Sequence, residues 1–209
     1  MPDEDAASFE LLPASARDTV RWQNGRGVTE EVAVGLAGPA GRTGPAALAG
    51  RAREAGFDWR VSIASVDGDV DFSAYPGVDR YLMALSPAGL DLVVDGGAAG
   101  IRQFGVHRFE GESVVASVNV TEPAQDLNLM LTRGRVVGEL TALILDGTLT
   151  IESGRDEVVL VIVLDGSARL GEGRLGAQDA VRLANGARCE LSGVANLAIA
   201  QIRRSTPSH

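Results

Sequence analysis

The feature that most constrains this chain is the regular return of short segments in which apolar and polar residues alternate. Segments such as 57–66 and 196–202 follow a period of two, which places successive side chains on opposite faces of a strand. Between the later segments lie glycine-containing pairs that favour hairpin turns, namely Asp146-Gly147, Ser153-Gly154, Asp165-Gly166, Asn185-Gly186 and Ser192-Gly193. The pattern predicts an all-β fold of antiparallel strands with little helix.

The two halves of the chain share this texture, and no long amphipathic helix separates them. We therefore predict two stacked β-barrels, residues 1–135 and residues 136–209, packed together as one unit. A single wide β-sandwich is the alternative, because sandwiches and barrels have the same strand spacing.

Charge and composition exclude several classes of partner. The 209 residues carry a formal net charge of -9, whereas nucleic acids and anionic membrane surfaces both require a basic stripe. Cys189 is the only cysteine, so no internal disulfide can form. The start of the chain is acidic and lacks the basic and apolar regions of a signal peptide. These features predict a cytoplasmic protein that binds neither nucleic acid nor membrane.

Three apolar strands carry polar residues at an interval of two, which is the pattern of a polar interior. The pairs are Trp22 with Asn24, Arg60 with Ser62, and Asp126 with Asn128. Because buried polar groups need partners and an arginine fork suits a carboxylate or phosphate, we predict a pocket for a small polar ligand. Its predicted residues are Trp22, Asn24, Gly27, Thr29, Arg60, Ser62, Asp126 and Asn128.

Two alternatives concern the arginines. Arg60 and Asp126 can instead form a structural ion pair that ties two strands, although a lone buried pair is often neutral for stability, which favours a functional reason for retaining one. Arg80 follows a Pro-Gly-Val-Asp turn beside Asp79, which favours a surface arginine over a residue of the pocket rim.

Histidine content decides the question of metal. The chain has two histidines, His107 and His209, whereas a transition-metal site needs three or more protein ligands. We predict no metal, no cofactor and no catalytic residue. His107 is interpreted as a rim residue, although with Glu110 or Glu112 it can act as an acid–base pair.

Five segments together resemble the HutD/Ves family in order and spacing. They are WQNGRGVT at 22–29, FDWRVSIASV at 57–66, FSAYPGVDR at 72–80, FEGE at 109–112 and DLNLM at 126–130. The resemblance implies a cupin-like double barrel (a bicupin) and the binding of a histidine-pathway metabolite such as urocanate or a formylated glutamate. It also implies one of two roles, limiting flux through histidine utilisation or a stress response of the Ves type.

Three function hypotheses follow. The first is a non-enzymatic protein that binds a small carboxylated metabolite. The second is a metal-independent isomerase, epimerase or hydrolase in which His107 faces the pocket with an acidic partner. The third is an assembly protein, and in any of these cases exposed edge strands can form a homodimer. The direction of His107 discriminates between the first two.

Overall fold

A computed structural model describes residues 8–22, 26–36 and 56–205 of the chain. The helical part of these ranges is one short 3-10 turn, Ala14–Ala16, and no helix in them has the length and hydrophobicity needed to span a membrane. The described residues form fifteen strands: β1 (Ser8–Leu12), β2 (Thr19–Arg21), β3 (Gly27–Gly35), β4 (Trp59–Val66), β5 (Val78–Ala84), β6 (Leu90–Val94), β7 (Gly97–Ile101), β8 (Val106–Glu110), β9 (Val115–Val118), β10 (Ala124–Thr132), β11 (Val136–Glu152), β12 (Glu157–Leu170), β13 (Gly173–Leu175), β14 (Ala180–Ala184) and β15 (Arg188–Arg204). The predicted all-β class is confirmed.

The strands form three antiparallel sheets. The central sheet has the order β2-β3-β4-β10-β5-β8, and a small sheet has the order β7-β6-β9. The remaining sheet has the order β1-β14-β12-β15-β11, with β13 paired to β12. The chain divides into two compact units: the first is Asp18–Val136, and the second joins the segment ending at Arg17 to the part starting at Val137.

Neither large sheet closes on itself within the described ranges. The strand orders end at β2 and β8 in the central sheet and at β1 and β11 in the other, and no pairing joins the ends. The prediction of closed barrels is therefore wrong. Its physical basis was the period of two, which marks a buried face in a sandwich and in a barrel alike and does not determine whether edge strands meet.

Three of the five predicted hairpin turns lie inside continuous strands. Gly147 belongs to β11, Gly166 to β12 and Gly193 to β15, whereas Ser153-Gly154 and Asn185-Gly186 do connect strands. Gly166 and Gly193 have φ angles of 81° and 136°, and a Cβ on either would lie 2.4 Å or 2.6 Å from a carbonyl oxygen of the facing strand. A glycine that allows a bent strand has the same sequence signature as one in a tight turn.

One face of the central sheet carries an apolar cluster at each end. At one end Leu82, Ala84 and Phe109 pack with residues of the small sheet such as Leu92 and Val115. At the other end, a second cluster consists of Val34, Phe57, Val78 and Met130, with Tyr75 packed against it. The positions between these clusters include the buried polar residues Ser62, Asp126 and Asn128.

Candidate functional site

The register of the central sheet brings most of the predicted site residues onto one face. Met130 on β10 lies between Arg60 on β4 and Arg80 on β5, and Asn128 is opposite Ser62. Residues directly opposite each other on antiparallel strands share a face. Arg60 and Arg80 therefore flank the same methionine, next to the Ser62–Asn128 pair.

The same face continues onto β3. Asp126 is opposite Ala64, which is opposite Thr29, and Glu31 is opposite Ser62. We call this set the polar face, and its members are Thr29, Glu31, Arg60, Ser62, Arg80, Asp126 and Asn128.

Trp22 closes one side of the polar face. Its indole Nε1 donates a hydrogen bond of 2.8 Å to Thr29 Oγ1, and its backbone N–H donates to the Gly27 carbonyl. A Cβ on Gly27 would lie 2.8 Å from the Trp22 ring, so the glycine makes room for the indole. Asn24, the remaining predicted site residue, lies outside the described residues.

Arg60 pairs with Glu31 rather than with Asp126. Its Nε donates to Glu31 Oε2 at 3.2 Å, so the alternative of an Arg60–Asp126 ion pair is wrong. The cause lies in the register, because Glu31 is opposite Ser62 and therefore a diagonal neighbour of Arg60. Within the described residues, the two terminal nitrogens of Arg60 have no hydrogen-bond partner.

Arg80 is the functional candidate that the sequence analysis missed. It was predicted to lie on the surface, yet it is 5% exposed. Its guanidinium donates to Asn128 Oδ1 at 2.9 Å and to the Ser73 carbonyl at 3.2 Å. It also lies 4.9 to 5.7 Å from the centroids of three rings, those of Phe72, Tyr75 and Phe109.

A signal for Arg80 was present in the sequence. Val78, Leu82 and Ala84 are apolar residues at an interval of two, and Arg80 occupies the same face in the same strand. Arg60 likewise lies within a largely apolar strand, β4, whereas the turn before Arg80 and the neighbouring Asp79 are typical of a surface position. Asp79 points to the other face, because neighbouring residues in a strand alternate, and there it binds Arg108 at 2.8 Å.

Gly111 holds the segment that carries Tyr75, and its replacement tests this support. Its N–H donates to the Val78 carbonyl and its carbonyl accepts from the Tyr75 N–H, both at 2.7 Å. A Cβ on Gly111 would lie 2.2 Å from the Tyr75 carbonyl oxygen. We expect Gly111→Ala to destabilise the fold by about 1–3 kcal/mol, as overpacking does, measured by urea denaturation. Gly176→Ala is the matched control, because its nearest contact would be an ordinary 3.8 Å; an equal loss in both variants would contradict the prediction.

Asp126 is a carboxyl group enclosed in the interior. It has zero exposure, its Oδ1 accepts a hydrogen bond from Asn128 Nδ2, and its Oδ2 has no partner among the described residues. Burial raises the pKa of Asp126 to about 7, against the opposing effects of Arg80 and of the Asn128 hydrogen bond. Burial likewise lowers the pKa of Arg80 to about 10; the nearby Asp126 opposes this, and the positive charge of Arg60 adds to it.

His107 also lies on the side of the polar face. It lies on β8, opposite Leu82 of β5, and it is partly buried. Its ring stacks with that of Phe109, with the ring centroids 6.2 Å apart and an angle of 28° between the ring planes. Within the described ranges, neither Glu110 nor Glu112 contacts the imidazole, since Glu112 binds Arg133 and the Gly77 N–H instead. The alternative of an acid–base pair between His107 and Glu110 or Glu112 is therefore not formed in the described residues.

The rest of the described chain offers little alternative chemistry. No group of three or more His, Cys, Asp or Glu residues there could hold a metal ion. The core of the second unit is an apolar cluster that includes Val161, Leu183 and Leu197, with Cys189 buried among them. The polar face of the first unit is therefore the candidate site.

The sequence of this chain is similar to a protein family and to several known proteins. A family model described as HutD matches residues 14–199. The protein Ves of Citrobacter koseri is 33% identical over 155 residues, covering 72% of this chain and 70% of that protein. An uncharacterized 21.2 kDa protein in the hutC 3' region of Pseudomonas putida is 30% identical over 155 residues, covering 74% and 73%.

The fold has a counterpart among solved structures. HutD from Pseudomonas fluorescens SBW25 superposes with a TM-score of 0.77 at 24% sequence identity, covering 95% of this chain and 100% of that chain. At this identity the likeness shows the fold alone.

Proposed function

This chain belongs to the HutD family, and from that premise we propose that it is a non-enzymatic protein that binds a small carboxylated metabolite and modulates histidine utilisation. We further propose that its two halves, residues 1–135 and 136–209, are the two cupin-like modules of a double arrangement. The proposed ligand class comprises urocanate and formylglutamate. The HutD structure from P. fluorescens is described as a formate condition. Formate, the smallest carboxylate, is therefore included among the ligands to test.

The observation that carries the proposal is the pair of guanidinium groups on the polar face. Arg60 and Arg80 flank Met130 from two neighbouring strands. Neighbouring strands are about 4.8 Å apart, so the two arginines start roughly 10 Å from each other and their side chains can approach one ligand. A carboxylate accepts charge-assisted hydrogen bonds from such groups, which are the strong kind.

Arg60 is the contact residue in this proposal. Its terminal nitrogens are without a partner in the described residues, while Glu31 fixes the Nε and hence the direction of the fork. A guanidinium held in this way is preorganised, so little side-chain entropy is lost on binding. The Trp22 indole and the Ser62 hydroxyl provide an apolar wall and a polar contact nearby.

The effect of an anion on Arg80 supports the same site. Burial lowers the pKa of Arg80, and the positive charge of Arg60 contributes in the same direction. A bound carboxylate would offset both effects, because an opposite charge stabilises the ionised guanidinium. The two arginines therefore favour an anion more strongly than either would alone.

Thermal unfolding in the presence of urocanate, N-formyl-L-glutamate or formate tests the proposal. A ligand at about 100 times its Kd is expected to raise the Tm of the wild type by about 5–10 °C. Arg60→Ala is expected to abolish the rise while leaving the fold intact. Arg108→Ala is the control, because Arg108 lies on the other face of the same sheet with 61% of its side chain exposed, and it should keep the full rise. A full rise in Arg60→Ala would remove this residue from the site.

The position of His107 favours one second candidate, a metal-independent isomerase, epimerase or hydrolase. The imidazole lies on the side of the polar face, where it can approach a ligand bound near Arg80. If this candidate holds, wild-type protein converts urocanate or N-formyl-L-glutamate in an NMR time course and His107→Gln does not. A ligand that binds without conversion supports the non-enzymatic function, including a stress-response role of the Ves type.

A further inference from the structure

The charged side chains of the polar face balance one another. Arg60 and Arg80 are positive, and Glu31 and Asp126 are negative. A carboxylate that binds to the arginines would leave the face with one excess negative charge. In an interior shielded from water, such an excess is costly, and the uptake of one proton removes it.

Asp126 is the acidic group least able to keep its charge. It receives one hydrogen bond, from the neutral amide of Asn128, and its Oδ2 has no partner among the described residues. Arg80 directs its terminal nitrogens to Asn128 and to the Ser73 carbonyl rather than to the carboxylate. Glu31, in contrast, has 23% of its side chain exposed and forms an ion pair with Arg60.

We propose that anion binding to the polar face is coupled to the uptake of one proton, and that Asp126 Oδ2 receives it. The step forms one O–H bond, the proton comes from the buffer, and no electrons are transferred. The inference rests on the proposed ligand site. It adds a consequence that the site alone does not require, namely that affinity depends on pH.

The surroundings of Asp126 support this assignment. The charged or titratable side chains on its face of the described sheet are Glu31 from β3, Arg60 from β4, Arg80 from β5 and His107 from β8. Tyr75, which contacts Arg80, is the further titratable group beside this face. Burial already raises the pKa of Asp126 to about 7 in the ligand-free protein, opposed in part by Arg80. A bound anion offsets the positive charge of the two arginines, and this charge favours the ionised form of Asp126. The anion therefore raises the pKa of Asp126 further, because anion binding and protonation are linked equilibria.

Isothermal titration calorimetry with formate, which carries a single carboxylate, measures the coupling directly. The observed enthalpy is compared between triethanolamine and Tris, two buffers without an anionic form whose ionisation enthalpies differ, at about pH 8, where Asp126 is mainly ionised before binding. The wild type is expected to take up close to one proton per bound molecule. The Kd is expected to rise up to about tenfold per pH unit above about pH 7, since one proton is linked to each binding event.

Three variants assign the proton. Asp126→Asn is expected to bind without proton uptake, with a Kd that no longer changes with pH. Glu112→Gln, which removes a carboxylate that lies outside the polar face and binds Arg133, is expected to keep the uptake. His107→Gln is expected to keep it as well, and loss of uptake in this variant alone would assign the proton to the imidazole and overturn the proposal.

The outcomes separate this inference from the proposed function. Binding with no buffer dependence would overturn the proton coupling and leave the ligand site standing. Absence of binding by N-formyl-L-glutamate, urocanate and formate would overturn the ligand site itself. If Asp126→Asn does not fold, infrared difference spectroscopy of the wild type decides: a protonated-carboxyl band must appear on ligand addition, and its absence contradicts the proposal.

Discussion

Replacing Arg80 with methionine is expected to lower the free energy of unfolding by about 3–5 kcal/mol, the usual cost of removing one partner from a buried charge network. Arg80 is buried, and its loss leaves Asn128 Oδ1 inside the protein without its donor. Asp126 also loses the positive charge that opposes its desolvation. Methionine retains apolar contact with the surrounding aromatic rings, so the loss measures charge and hydrogen bonding rather than a cavity.

Arg108→Met is the matched control for this experiment. Arg108 forms the same kinds of contact as Arg80, since it lies 5.5 Å from the Tyr81 ring and donates to Asp79 at 2.8 Å. Its side chain is largely exposed, and exposed pairs of this kind contribute less than about 1 kcal/mol. Urea denaturation of both variants at one pH measures the difference. Equal losses would contradict the view that burial, rather than contact type, makes Arg80 important.

The double variant Arg80→Met/Asp126→Asn tests the source of the cost. Removing both charges leaves no uncompensated buried carboxylate, so the double variant is expected to be more stable than the sum of the single losses predicts. Strict additivity would show that the two side chains stabilise the fold independently of each other.

Local alternation was sufficient to identify the polar face but not its internal pairing. The interval of two in β4 and β10 correctly placed Arg60 beside Ser62 and Asp126 beside Asn128, because strand geometry fixes that relation within a single strand. Which strands are neighbours is a long-range property. The insertion of β10 between β4 and β5 brings Arg80 to Asn128 across 48 residues of sequence. The local pattern indicates that Arg80 lies on an apolar face, but not that Asn128 is its partner.

The misassigned turns have a related cause. Gly166 and Gly193 follow Asp and Ser, as a hairpin glycine often does, yet each lies within a long strand of the second unit. A tight turn and a bent strand both require positive φ at glycine. The dipeptide therefore indicates the backbone angle and not whether the chain reverses direction. Pairing with the facing strand decides between them, and this information is not in the dipeptide.

The second large effect expected is a loss of stability as pH rises from about 4 to about 7. An aspartate in an unfolded chain has a pKa of about 3.9, whereas burial raises the pKa of folded Asp126 to about 7. Between these values the folded state holds a proton that the unfolded state has released. Stability falls with pH where the folded state binds more protons, so the contribution is complete below about pH 4 and lost above about pH 7.

The size of the effect follows from the distance between the two pKa values. A difference of about three pH units corresponds to roughly 4 kcal/mol.

Glu112 contributes to the pH dependence of stability with the opposite sign and at lower pH. The hydrogen bond from Arg133 is the main cause that lowers the Glu112 pKa to about 2, so its contribution is present above about pH 4.5 and lost as pH falls toward 2. Above about pH 5, Asp126 therefore dominates the slope.

Urea denaturation at several pH values between 5 and 8, on the wild type and two variants, tests this prediction. Asp126→Asn keeps the shape of the side chain and removes its titration, so its stability is expected to change little over this range, while that of the wild type declines. Glu112→Gln is expected to keep the decline and to lose only part of the acid limb below about pH 4.5. If the wild type and Asp126→Asn have parallel profiles, the carboxyl group of Asp126 keeps an ordinary pKa in the folded protein, and its enclosure by the polar face does not prevent ionisation.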